Sequence, residues 1–209
     1  MKIKKKGIVI VLTSIMMCVA LSVNVLAAVS GKSAYVNYDG HFILNGKSQA
    51  TKAKESFEKW GYGCNDPNMA YTKSSVLSAV PTITCFYVSG HGNVGSISTG
   101  KNGSESISAS EIAAKAAGFY KFVYTDTCLT GSDESFASAF NIKSSDGLNH
   151  AYLGWKVETY DNAKYGVFTE FVFGELTRGE SLDNAIWLAY SSTGLSGYKV
   201  YGKSNMTVK

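Results

Sequence analysis

Two short segments carry residues that can do covalent chemistry, and they share one form. Phe86-Tyr87-Val88-Ser89-Gly90-His91-Gly92 is an apolar run that ends in a small, polar turn holding an imidazole. Phe122-Val123-Tyr124-Thr125-Asp126-Thr127-Cys128 is a second such run, ending in a thiol and followed by Gly131. In open α/β sheets, ligands bind beyond the carboxyl ends of the strands. If the two runs are neighbouring strands, about 4.8 Å apart, the His91 and Cys128 side chains come within reach of each other. Cysteine beside histidine is an activated nucleophile: the thiolate attacks, and the imidazole generates it and then protonates a leaving amine. Glycine beside the histidine lets substrate and backbone approach closely, and a backbone N–H there can face an oxyanion.

Asp126 lies two residues before Cys128, so in extended backbone the two side chains share a face. A carboxylate at an apolar sheet end needs a partner. Two roles are open: a strand-end aspartate bonded to nearby backbone amides, or the floor of a substrate pocket. The other candidates are weaker. His41 sits in or beside a turn, and His150 precedes a strand and reads as surface. Trp60, Trp155 and Trp187 fall in apolar periodic contexts and read as core; Trp155 can also wall a pocket, because it closes a strand. Cys85 is mid-strand and reads as a packed thiol, with a Cys64–Cys85 disulfide as the alternative.

The elements that must position these groups alternate between strand and helix periods. Strands are expected at 34–38, 82–89, 120–125, 151–156 and 198–201, with a weak one at 69–72. Residues 82–89 (TITCFYVS) have the unbroken apolar or β-branched character of a strand buried on both faces. Asp39-Gly40 is a turn signal, after which 41–44 can pair back on the first strand. Helices are expected at 48–60, from Ser74 or Ser75 to 80, at 108–117 behind a Ser108-x-x-Glu111 capping box, and at 133–140, 161–178 and 181–192. Residues 93–107, rich in Gly and Ser, read as a small hairpin. Such alternation indicates an α/β domain with a mainly parallel sheet.

The chain has 209 residues, 45% apolar and 17% charged, which excludes intrinsic disorder and allows one full-sized domain. The formal charge of +4 is carried entirely by Lys2, Lys4, Lys5 and Lys6. Beyond residue 27 acids and bases balance, so nothing points to nucleic-acid binding. The four lysines open a targeting segment: a basic start, an apolar stretch over 7–23, and Val25-Leu26-Ala27 as a small-x-small site, with cleavage expected after Ala27. The stretch runs slightly past the usual length, so an uncleaved anchor is the alternative. Cys18 follows Met17 rather than a small residue and belongs to the apolar stretch. The mature chain keeps Cys64, Cys85 and Cys128, an odd count that is not a disulfide scaffold. Neither C-x-x-C nor H-x-x-x-H occurs, so zinc-ligand spacing is absent and no metal or cofactor is expected.

An apolar block ending in His-Gly, followed by one ending in Asp-x-Cys, resembles the caspase-like cysteine peptidases. YVSGHG at 87–92 is similar to the histidine motif of that superfamily, and TDTCLTG at 125–131 to the cysteine motif of metacaspases and clostripain-like enzymes. The resemblance covers essentially all of 34–205. It implies an α/β fold, a single caspase-like domain over 28–209 with a mainly parallel sheet of about six strands flanked by helices. It implies His91 as catalytic histidine, Cys128 as nucleophile, and the amides of Gly92 and Cys128 as oxyanion hole. It implies Asp126 as the group that binds a basic residue just before the cut. The chain departs from caspases in lacking their QAC-type pentapeptide and in its short gap between histidine and cysteine. The expected function is therefore that of a secreted cysteine endopeptidase acting on peptides or proteins after Arg or Lys, off the membrane once the signal is removed. The competing class is a secreted binding module with a vestigial dyad. Calcium dependence stays open. The expected mature N-terminus is near Ala28, which N-terminal sequencing of native material checks; retention of Met1–Ala27 in a membrane fraction would show an anchor instead.

Overall fold

The computed structural model describes residues 33–39, 45–69 and 71–208. The expected targeting segment, His41 and the expected pairing of 41–44 lie outside the described residues. The main sheet has six strands in the order β2-β1-β3-β7-β8-β9. These are β1 (Ser33–Tyr38), β2 (Gly63–Cys64), β3 (Cys85–Gly90), β7 (Phe122–Thr127), β8 (Ala151–Trp155) and β9 (Tyr198–Gly202). The first five in that order run parallel, and β9 pairs antiparallel with β8. The expected mainly parallel sheet of about six strands is therefore present. A second, antiparallel sheet of β4 (Gly92–Asn93), β5 (Ser96–Thr99) and β6 (Glu105–Ser108) follows β3. It occupies the place of the expected hairpin, with Asn102 in the left-handed region at its turn.

Side-chain alternation along β3 and β7 sorts the core into two layers. Cys85, Tyr87, Phe122 and Tyr124 face one side, against α1 (Gly46–Lys59), α5 (Ala163–Arg178) and α6 (Leu182–Thr193). Phe86, Val88 and Val123 face the other, against α2 (Lys73–Ala79), α3 (Ala109–Ala113) and α4 (Ser135–Ala139). Both faces are covered, which is why these strands read as unbroken apolar runs. Phe173 of α5 is the hub of the first layer. Its ring meets Phe57, Tyr87 and Phe122 edge-on at centroid distances of 5.4, 5.5 and 5.9 Å. α5 and α6 each end at a left-handed glycine, Gly179 and Gly194. Among the described residues, no helix is long and apolar enough to cross a membrane.

Several local expectations are corrected. The described residues of the expected strand at 69–72, Met69, Tyr71 and Thr72, are not in a strand: Tyr71 is tied down through its hydroxyl, which donates to the Ser98 carbonyl at 2.9 Å, rather than by a ladder. The cap of α2 is Thr72, with Ser75 as its capping-box partner. α3 stops at Ala113, and the Ala117 amide donates to the Tyr120 hydroxyl instead of continuing the helix. Trp187 is not core; it is 60% exposed on the outer face of α6. His150 is not at the surface. It is buried, stacked on Phe119, with Nε2 2.9 Å from Asp146. Cys64, Cys85 and Cys128 are all free thiols. Ala34 pairs with Cys64 on one side and Cys85 on the other, so the two cysteines lie two strands apart. That separation of about 9.6 Å exceeds what a disulfide spans. Phe173→Ala is expected to cost about 3–5 kcal/mol of stability, read as a lowered denaturation midpoint; a loss under about 1 kcal/mol would show that the aromatic cluster does not anchor this layer.

Candidate active site

The carboxyl ends of β1, β3, β7 and β8 meet at one edge of the main sheet. β3 and β7 are direct neighbours, and their ladder ends with Ser89 opposite Asp126 and Gly90 opposite Thr127. One residue further on each strand are His91 and Cys128. The two chemistry-bearing residues thus leave adjacent parallel strands at the same height. His91 is exposed and Cys128 half-buried.

The glycines around His91 are dictated by close approach. A Cβ on Gly90 would lie 2.7 Å from the Cβ of Asp39, at the end of β1. A Cβ on Gly92 would lie 2.6 Å from Thr127 Oγ1 and 2.9 Å from the Cys128 carbonyl oxygen. The backbone on either side of His91 is therefore packed closely, Gly90 against the end of β1 and Gly92 against the end of β7.

The turn that carries Cys128 is held from below by buried hydroxyls. Thr125 and Thr127 donate to Thr130 Oγ1 at 2.9 and 3.1 Å, Tyr152 donates to the Thr130 carbonyl at 2.8 Å, and Thr125 also bonds Tyr152. Leu129, next to the thiol, has φ of 60°, a left-handed conformation that a branched side chain rarely adopts. The turn is stitched to the segment after β8: the Leu129 amide donates to Val157 O at 3.1 Å and the Gly131 amide to Trp155 O at 2.8 Å. Gly131 and Gly154 touch backbone to backbone there, and a Cβ on Gly131 would meet the Gly154 carbonyl at 2.7 Å.

Asp126 is buried, and its partners are side chains, not the backbone amides of one of the two readings left open by the sequence. Trp155 Nε1 donates to Oδ1 at 2.7 Å; Tyr87 OH and Thr169 Oγ1 donate to Oδ2 at 3.0 and 2.9 Å. Burial pushes the Asp126 carboxyl above the ordinary aspartate range, against the pull of these hydrogen bonds. Trp155, fully buried, thus supports the Asp126 carboxylate from behind and does not wall the recess beside it. Asp126 lines a small recess with Asn45, Gln49, Ser89, Thr159, Tyr160, Asp161 and Tyr165. Thr159 contacts Cys128 Sγ as well, so the recess and the thiol adjoin.

The sequence brought His91, Gly92, Asp126 and Cys128 to one sheet edge, and they are there. It missed Gln49, Ser89, Thr159 and Asp161. Gln49 had a signal: it is a buried polar residue on the apolar face of α1, accepting from Ser89 Oγ at 3.0 Å. Thr159 and Asp161 lie in a loop with no periodicity to mark them. His150 is committed elsewhere. Among the described residues, no group of three or more His, Cys, Asp or Glu is placed to hold a metal ion.

No family model and no curated protein matches the chain. Solved structures do. The Arg-specific cysteine proteinase gingipain R superposes with a TM-score of 0.64 at 13% identity, covering 87% of this chain and 49% of that one. A complex of the pro- and mature domains of RgpB from Porphyromonas gingivalis gives 0.62 at 12% identity, covering 87% and 50%. Caspase-1 from Spodoptera frugiperda gives 0.51 at 10% identity, covering 84% and 88%. The chain spans about half the length of the gingipain structures it matches. The fold is caspase-like. Gly92→Ala is expected to lower stability by about 1–3 kcal/mol, since the added methyl meets Thr127 and backbone that cannot yield cheaply; an unchanged melting temperature would show that this contact is not what fixes the turn.

Proposed function

We propose that the chain is an exported cysteine endopeptidase that cleaves after Arg or Lys. The observation that carries this reading is the register of β3 and β7, which sets His91 and Cys128 side by side with a buried carboxylate two residues before the thiol. His91 takes the proton from Cys128, and the thiolate adds to the carbonyl carbon of the scissile peptide. The amides of Gly92 and Cys128 face the resulting oxyanion. Collapse breaks the C–N bond, His91 passes its proton to the leaving amine, and an acyl-thioester remains on Cys128. Water, deprotonated by His91, then releases the acid.

A basic side chain suits the recess because Asp126 and Asp161 both line it. Asp126 already accepts three side-chain hydrogen bonds, so its oxygens are held fixed beside a low-dielectric recess, where a cationic partner would favour the ionised carboxylate. That the gingipain R neighbour is Arg-specific supports the same preference. Export rests on the lysine-rich start, the apolar stretch and the Val25-x-Ala27 site.

Truncating Asp126 would strand three buried donors and confound any kinetic result, so the charge is removed from the substrate instead. Mature protein is assayed on fluorogenic peptides that differ only in Arg, Lys, Asp or citrulline before the cut, with Cys128→Ala and His91→Ala as controls. Citrulline keeps the shape of Arg without its charge. Arg and Lys peptides are expected to be cleaved, citrulline at least about 100-fold more slowly in kcat/KM, and Asp not at all. Both variants should be inactive. Cleavage that survives Cys128→Ala would end the dyad assignment; equal rates for Arg and citrulline would end the assignment of basic specificity.

A further inference from the structure

Thr159 belongs to no motif, yet it makes more contacts to the Cys128 sulfur than a bystander needs. Its main-chain N–H donates to Sγ at 3.2 Å. Its hydroxyl oxygen lies 3.4 Å from the same atom. The Cys128 thiol donates to its carbonyl oxygen at 3.6 Å. Thr159 is itself buried, at 8% exposure. The segment between β8 and α5 that carries it is tied on several sides. Val157 and Trp155 accept from the amides of Leu129 and Gly131, the Lys156 amide donates to Gly197 O at 2.6 Å, and Tyr165 OH donates to Glu158 O at 3.4 Å. Two of those ties come from the Cys128 turn, so sulfur and threonine are held in one rigid unit.

We propose that Thr159 is a positioning residue for the Cys128 nucleophile, aiming the sulfur and donating to it from both its amide and its hydroxyl once the thiol is ionised. The inference rests on the peptidase reading. In the resting state the thiol proton faces the Thr159 carbonyl. When that proton passes to His91, the sulfur becomes an acceptor only, and the threonine hydroxyl rotates to donate to it. Hydrogen bonds to an ionised acceptor are roughly twice as strong as neutral ones, and a hydroxyl is free to exchange donor and acceptor roles by rotation alone. The same residue lines the recess beside Asp126, so a substrate side chain seated there packs against the group that holds the sulfur.

The test compares Thr159→Val, which keeps shape and amide but removes the hydroxyl, with Thr159→Ser, which keeps the hydroxyl. Two readouts are used: alkylation of Cys128 by iodoacetamide at neutral pH, followed residue by residue by mass spectrometry, and kcat and KM on an Arg peptide. Cys64 and Cys85 are internal references, because burial pushes the Cys64 thiol up to about 12 and raises that of Cys85 as well. Thr159→Val is expected to slow alkylation about tenfold, the equivalent of one charge-assisted hydrogen bond. It is expected to lower kcat by a similar factor with KM little changed, and Thr159→Ser to stay within about twofold of wild type. If the valine variant melts early, Thr159→Ala repeats the measurement without a branched methyl. Wild-type rates in Thr159→Val, with wild-type Cys128 labelled ahead of the reference cysteines and the peptide cleaved, would overturn the role of Thr159 alone. Equal slowing in the valine and serine variants would make it a packing residue and also overturn the proposal. Labelling of wild-type Cys128 no faster than Cys64, with no cleavage, would remove the peptidase reading and this inference with it.

Discussion

Four elements converge on the carboxylate of Asp126. β7 carries it, Tyr87 reaches it from β3, Trp155 from β8 and Thr169 from α5. A buried carboxylate is tolerated only when such donors replace the water it lost. All three donors aim at one carboxylate, so the position of each depends on the rest. The carboxyl ends of β3, β7 and β8 are thereby fixed relative to one another, and α5 is held over them. The recess and the thiol beside it inherit that rigidity.

On the opposite face of β7, hydroxyls do the corresponding job. Thr125, Thr127, Thr130 and Tyr152 satisfy one another beneath the Cys128 turn. The turn can then hold Leu129 at positive φ, because the surrounding bonds over-determine it. Alternation along a single strand thus gives two polar anchors: Asp126 toward α5, and Thr125 and Thr127 toward α4. Both sit at the strand's end, where β3 still pairs with β7 but the β8 ladder has stopped at Thr125.

Much of this was legible in the residues. The unbroken apolar runs marked β3 and β7 as strands covered on both faces, and the shared position of His91 and Cys128 after them gave their adjacency. The glycines flanking His91 were readable as sites of close approach, though not which atoms approach. What stayed hidden was of two kinds. Partners from irregular backbone, such as Thr159 and Asp161, carry no period, and only the tertiary stitching of Val157 to Leu129 brings them to the site. Satisfaction of buried polar groups was the other: Asp126 was recognisable as needing partners, but Tyr87 fell in an apolar run, Trp155 read as core, and Thr169 was one position within an expected helix. Trp187 failed in the opposite sense, since helical periodicity near Ile186 does not settle which of two adjacent residues turns outward. His150 failed because its partners, Asp146 and Phe119, are a loop residue and a residue from before the preceding strand.

The placement of the three thiols also bears on how the folded chain meets an oxidant. Cys64 and Cys85 lie at the amino end of the sheet, on opposite flanks of β1. Cys85 is level with Phe122, and Cys128 lies six residues further along, about 20 Å away at 3.3 Å per residue. Each sulfur is therefore out of disulfide range of the other two. Among the described residues the folded protein has no resolving cysteine, the second thiol that would capture an oxidised one as an internal bridge. Oxidation at Cys128 has to be relieved from outside, by a small thiol or another molecule. An oxidising environment consequently leaves the internal pairing of the described residues unchanged while leaving the half-buried Cys128 sulfur dependent on the surrounding redox pool.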